Sequence, residues 1–69
     1  MTEREKDLLE YIIEYKKVNG FSPSYADMKH GINTKSNTHI NIMLDHLEDD
    51  GYIKRRKNQA RSIKVIRFK

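Results

Sequence analysis

An α+β fold that is mostly α, with three helices followed by a C-terminal two-stranded β-hairpin, is what this sequence predicts. Three observations carry that expectation. Apolar residues recur at helical spacing in three segments, each preceded by a Ser or Thr able to cap a helix. After Gly51 the apolar period shortens from about 3.6 to about 2. The chain has 69 residues, 36% of them hydrophobic, and no cysteine. One small domain, 1–69, therefore has to pack its own core without disulfides or thiolate-bound zinc.

The first helix is expected over about 3–19. It opens on "TERE", where Thr2 caps and Glu5, three residues on, reaches back to the Thr2 amide. Leu8, Leu9, Tyr11, Ile12 and Tyr15 follow at helical spacing, and Asn19-Gly20 supplies a left-handed stop. "GFSPS" punctuates the connection, and Ser24 with Asp27 repeats the capping arrangement for a short helix over about 25–31, with Met28 and Ile32 facing inward. "GINTKS" is a turn in which Asn33 tolerates positive φ and Ser36 caps a third helix, about 37–50, ending at Gly51. "YIKR" and "SIKV" then read as two short strands, with Ile53 facing Ile63 and Val65 across a basic loop.

Charge divides the chain sharply. All ten acidic residues lie in 1–50, opposed by six basic ones, so that part sums to −4; the last 19 residues hold eight basic residues and no acid. "KRRKNQAR", residues 54–61, alone packs five cations into eight positions. Such asymmetry points to a polyanion at one end of the molecule, against the plainer reading of a solvated basic tail.

Other classes recede. No apolar run approaches the roughly 18 residues of a membrane helix, and no signal-peptide layout opens the chain, so a soluble cytoplasmic protein is expected. There is no Gly-rich phosphate loop, no cysteine nucleophile and no His–carboxylate constellation, which argues against an enzyme. His39 and His46 lie seven apart, about 10 Å along a helix, too far to share a metal ion, and His30 is remote from both. No metal and no cofactor are expected.

Two helices joined by a tight turn and followed by a hairpin describe a winged helix-turn-helix. "TEREKDLLEYIIEY", "NGFSPS", "HLEDDGYIKR" and "ARSIKV" together resemble the N-terminal DNA-binding domain of LexA-type SOS repressors across nearly the whole chain. That resemblance implies a winged helix reading operator DNA through the start of its third helix. The chain departs from the family pattern at Lys29, where a small residue is usual, at Asn33, where glycine is usual, and at Thr34, where an apolar residue is usual. A looser turn is the expectation there. The wing loop has only Asn58 as a turn former, and the sequence stops where the family's linker and self-cleaving Ser/Lys protease domain would begin, so autoproteolysis and dimerisation through that domain do not carry over.

On the third helix a rotation of about 100° per residue groups Ile40, Met43, Leu44 and Leu47 into a buried stripe. Thr38, Asn41, Ile42, Asp45 and Asp49 fall opposite, with Ser36 and Asn37 at the tip. Ser, Thr and Asn there have the reach for base edges and phosphates, and Asn41 can pair bidentately with adenine. Ile42 either meets a thymine methyl or is an ordinary exposed isoleucine. By resemblance the base-contacting positions are Ser36, Thr38, His39, Asn41 and Ile42; the helical wheel picks all but His39, which is a polar contact or a solvated histidine. Lys35, Lys54, Arg55, Arg56, Lys57, Asn58, Gln59 and Arg61 are assigned to the DNA backbone and the wing, supplying affinity while the helix supplies sequence choice. The acids of "LEDDG" serve solubility or pair with Lys54 and Arg55, and Lys64, Arg67 and Lys69 read as solvated strand-edge charges.

The function expected is sequence-specific binding of double-stranded DNA by a small transcriptional repressor acting through operator occupancy. One domain contacts few base pairs, so a homodimer on a two-fold symmetric site is the natural arrangement. The competing reading is a protein-docking or architectural DNA-binding module; for docking, Ile13, about 140° from Leu8 on the first helix, is apolar where surface is expected, and Phe68 either adds to that patch or covers the base of the sheet.

Overall fold

The computed structural model describes residues 1–56 and 62–67. It runs α1 (Glu3–Asn19), α2 (Tyr25–Gly31), α3 (Asn37–Asp49), β1 (Ile53–Lys54) and β2 (Lys64–Val65), the strands paired antiparallel with Ile53 opposite Val65. This is a mostly helical winged helix-turn-helix, as the sequence predicts. Leu8, Leu9 and Ile12 of α1 meet Met28 and Ile32 from the second helix and its cap, the Ile40/Met43/Leu44/Leu47 stripe of α3, and Ile53 and Ile63 from the hairpin. Ile13 packs half-buried against this core, so less of it is exposed than the docking reading expects; Phe68 lies outside the described residues.

Both capping boxes form. Thr2 Oγ1 accepts from the Glu5 amide and Glu5 Oε1 accepts from the Thr2 amide, each at 3.1 Å; Ser24 and Asp27 repeat the exchange at 3.2 and 3.0 Å. Asn33 sits at φ 59°. The Thr34 amide donates to the Lys29 carbonyl at 2.9 Å and the Asn33 amide to the His30 carbonyl at 3.3 Å, the paired bonds of a Schellman ending. The turn is thus closed, not loose, because backbone bonds shape it and asparagine tolerates the left-handed conformation that glycine usually supplies. Gly31 has a different reason to be small: a Cβ there would lie 2.3 Å from the Tyr11 ring. Tyr11, Tyr15 and Phe21 form a ladder with ring centroids 5.9 Å apart at each step, bracing the α1–α2 connection.

α3 ends one residue earlier than expected, in a second Schellman arrangement with Gly51 at φ 82°. That ending draws the Tyr52 amide to the Leu47 carbonyl at 2.9 Å, so Tyr52 is lost to the strand and β1 is shorter than "YIKR" suggests. At the far end Ser62 Oγ accepts from the Arg56 amide at 3.2 Å and donates to the Arg56 carbonyl at 3.1 Å, so a side chain closes the hairpin where ladder bonds would have continued. Lys16 Nζ donates to the Ile63 carbonyl at 3.1 Å, tying the hairpin to α1. Arg67 is not simply solvated: its guanidinium lies 4.7 Å over the Tyr52 ring and donates to the Asp50 carbonyl at the end of α3.

A buried carboxylate links α1 to α3. Glu5, only 5% exposed, receives His46 Nδ1 on Oε2 at 2.7 Å while its other oxygen caps α1. Burial alone would raise the Glu5 pKa, but the bonds from His46 and the Thr2 amide, with the His46 and N-terminal charges, bring it below the ordinary glutamate value. The bond to Glu5 raises His46, against a smaller effect of burial and with support from the charges of Glu5, Asp49 and Asp50. The sign follows from linkage. The Glu5 contribution to stability is present above its unfolded pKa and disappears as pH falls through the lowered folded value. The His46 contribution is complete below its unfolded pKa and disappears as pH rises through the raised folded value. Thermal melts should therefore show the largest gap between the native protein and His46→Ala between about pH 4.5 and 6.5, the ordinary values of the two groups, and a gap that narrows as pH rises above that window. A gap independent of pH would disprove the link.

Candidate nucleic-acid interface

α3 presents two faces of opposite character. Ile40, Met43, Leu44 and Leu47 are buried, while Ser36, Asn37, Thr38, Asn41 and Ile42 are exposed and His39 is half-buried. The leading edge therefore stands free of the protein's interior. Ser36 caps the helix, its Oγ accepting from the His39 amide at 3.1 Å, and its hydroxyl hydrogen remains able to donate outward. Thr34 Oγ1 in turn accepts from the Ser36 amide at 3.4 Å, which fixes the approach to the helix. Ile42 is 46% exposed, a branched apolar side chain on the face opposite the core. The Tyr25 hydroxyl donates to Asn41 Oδ1, so one side chain of the leading edge is held from α2.

The root of the hairpin is fastened to the other end of α3. Arg55 Nε donates to Glu48 Oε1 at 3.1 Å, its amide donates to Glu48 Oε2 at 3.3 Å, and its guanidinium also pairs with Asp45. Partial burial disfavours the charged guanidinium, and bonds to Asp45 and Glu48 outweigh that, so Arg55 is held firmly cationic. Its charge is engaged within the protein, unlike those of the exposed Lys35, Lys54 and Arg56, which make no ion pair among the described residues. The geometry thus separates Arg55, which sets the angle of the hairpin, from the cations turned outward. It also bears out part of the reading of "LEDDG": Glu48 of that cluster, together with Asp45 three residues before it, binds Arg55. Lys57, Asn58, Gln59 and Arg61 lie outside the described residues.

Two residues absent from the sequence-based site emerge. Lys64 stands directly opposite Lys54 across the ladder, both exposed, while Ile53 and Val65 share the inner face. Like charges at facing positions are unfavourable in an isolated hairpin, and an anion lying over them would relieve this. The pairing of Ile53 with Val65 already implies it, so the signal was present in the register. Tyr25 is the other, and its contact with a residue sixteen positions away has no local signature.

No helix among the described residues is long and apolar enough to cross a membrane. The family model described as the LexA DNA binding domain matches residues 1–62. Over 68 residues, 99% of this chain, the sequence is 39% identical to the LexA repressor of Zymomonas mobilis, 37% to that of Pelagibacter ubique and 34% to that of Acidiphilium cryptum. These matches take in 31%, 30% and 29% of the respective proteins, so the chain spans about 30% of the length of these curated relatives. With residues 1–62 covered by that model and the three helices and hairpin in place, the chain belongs to the LexA DNA-binding domain family.

Proposed function

We propose that this domain binds double-stranded DNA sequence-specifically, laying the start of α3 in the major groove and the basic hairpin along the phosphate backbone, and that it represses transcription by occupying an operator. The observation that carries the reading is the polar, exposed leading edge of a helix whose opposite face is buried, beside a cation-rich hairpin pinned to the same helix by Arg55. Ser36, Asn37, Thr38, His39, Asn41 and Ile42 are assigned to base contact. Lys35, Lys54, Arg56, Lys57, Asn58, Gln59, Arg61 and Lys64 are assigned to phosphate contact. The named relatives are LexA repressors, which favours repression over activation, and membership of that family favours a role in SOS regulation. Two copies on a two-fold symmetric site would supply the affinity that one small reading surface lacks.

Selection of bound duplexes from a random pool, run at two salt concentrations, tests this directly. A recurring site with two-fold symmetry is the expected result; recovery of the unselected pool would overturn it. Ile42→Ala should relax the preference for T·A at one position of each half-site by about tenfold, the scale of one good base contact. Unaltered preference would return Ile42 to an ordinary exposed side chain.

A further inference from the structure

We infer that Tyr25 is a positioning residue for base recognition: by holding the Asn41 carboxamide from α2, it determines which base that side chain prefers. The inference rests on α3 being the helix that enters the groove. Tyr25 is the first residue of α2; its ring packs half-buried against the core, and its backbone is fixed by the Ser24–Asp27 capping box. Its hydroxyl is therefore a fixed point, and it donates to Oδ1 of Asn41. Among the described residues, no other leading-edge side chain of α3 is hydrogen-bonded from another helix.

A carboxamide carries two acceptor sites on oxygen and two N–H donors on nitrogen. With one acceptor site facing Tyr25, the free edge presents one acceptor beside a donor. Adenine offers the complementary pair, a donor at N6 and an acceptor at N7, whereas guanine offers two acceptors. An unheld asparagine turns about its terminal bond and exposes either end, losing part of that distinction. It must also be ordered when DNA binds, and immobilising such a side chain weakens affinity by roughly two- to tenfold. Tyr25 orders it in the free protein.

The test compares the native protein, Tyr25→Phe, Asn41→Ala and the double variant. Each is titrated with the duplex selected by the native protein, with its single-base-pair variants, and with a random duplex. Tyr25→Phe keeps the ring and its packing, so melting temperature and random-duplex affinity should stay at native values. Discrimination between A·T and G·C at one base pair of each half-site should fall by about three- to tenfold. Asn41→Ala should abolish discrimination at that same base pair, and adding Tyr25→Phe should change nothing further. Unchanged discrimination in Tyr25→Phe, or a loss at a base pair that Asn41→Ala leaves alone, would overturn the inference while leaving the DNA-binding reading intact. Failure of the native protein to select any site would sink both.

Discussion

Raising the salt concentration from 50 to 200 mM is expected to weaken duplex binding by about a thousandfold. Lys35, Lys54, Arg56 and Lys64 are exposed; with Lys57 and Arg61 of the same basic run they make six charges assigned to phosphate, and neutralising six phosphates gives log K a slope against log salt of roughly −5. Arg55 is left out of that count because Asp45 and Glu48 already hold it. Two substitutions of neighbouring arginines should therefore behave differently. Arg56→Ala should flatten the slope by about one and leave the melting temperature unchanged. Arg55→Ala should leave the slope near its native value and destabilise the fold by about 1–2 kcal/mol. That range lies between the small value of exposed ion pairs and the larger one of buried pairs, since the Arg55 side chain is 19% exposed but Asp45 is 62% exposed. Binding isotherms at four salt concentrations and a thermal melt decide it. A slope near zero for the native protein would remove the electrostatic basis of the interface, and equal slope changes in the two variants would mean Arg55 reaches phosphate after all.

What the sequence allowed to be read depended on how far each interaction reaches. Thr2 with Glu5 and Ser24 with Asp27 are separated by three residues, so their reciprocal bonds were legible from spacing alone. The α3 stripe was legible because helical rotation is fixed once the helix exists. The turn at Asn33 was harder, since a missing glycine suggests looseness while the bonds that close the turn come from backbone groups with no signature in the side chains. Arg55 was half legible. Its pairing with an acid of "LEDDG" was one of two readings, and Glu48 bears it out, whereas the reach to Asp45 depends on where the end of α3 sets the first strand. Tyr25 and Asn41 belong to two helices whose relative placement is decided by the core, so their contact required the fold.

Leu44→Ala should be among the most damaging single substitutions in α3. Leu44 is fully buried in the stripe that joins α3 to α1 and the hairpin, and truncating such a leucine costs about 2–5 kcal/mol. A domain of this size holds only about 3–10 kcal/mol in all, so the melting temperature should fall by roughly 10–30 °C and DNA binding should vanish as the fold melts. Ile42→Ala removes a side chain of similar volume two positions earlier, about 200° around the helix, and should change stability by less than about 0.5 kcal/mol. Its effect should appear in sequence preference instead. Comparable destabilisation by both substitutions would put Ile42 in the interior and leave the proposed groove-facing edge without its apolar contact. If only Leu44→Ala unfolds the domain, one face of α3 carries stability and the other is left to recognition, which is the division a helix needs if it is to change its DNA target without losing its fold.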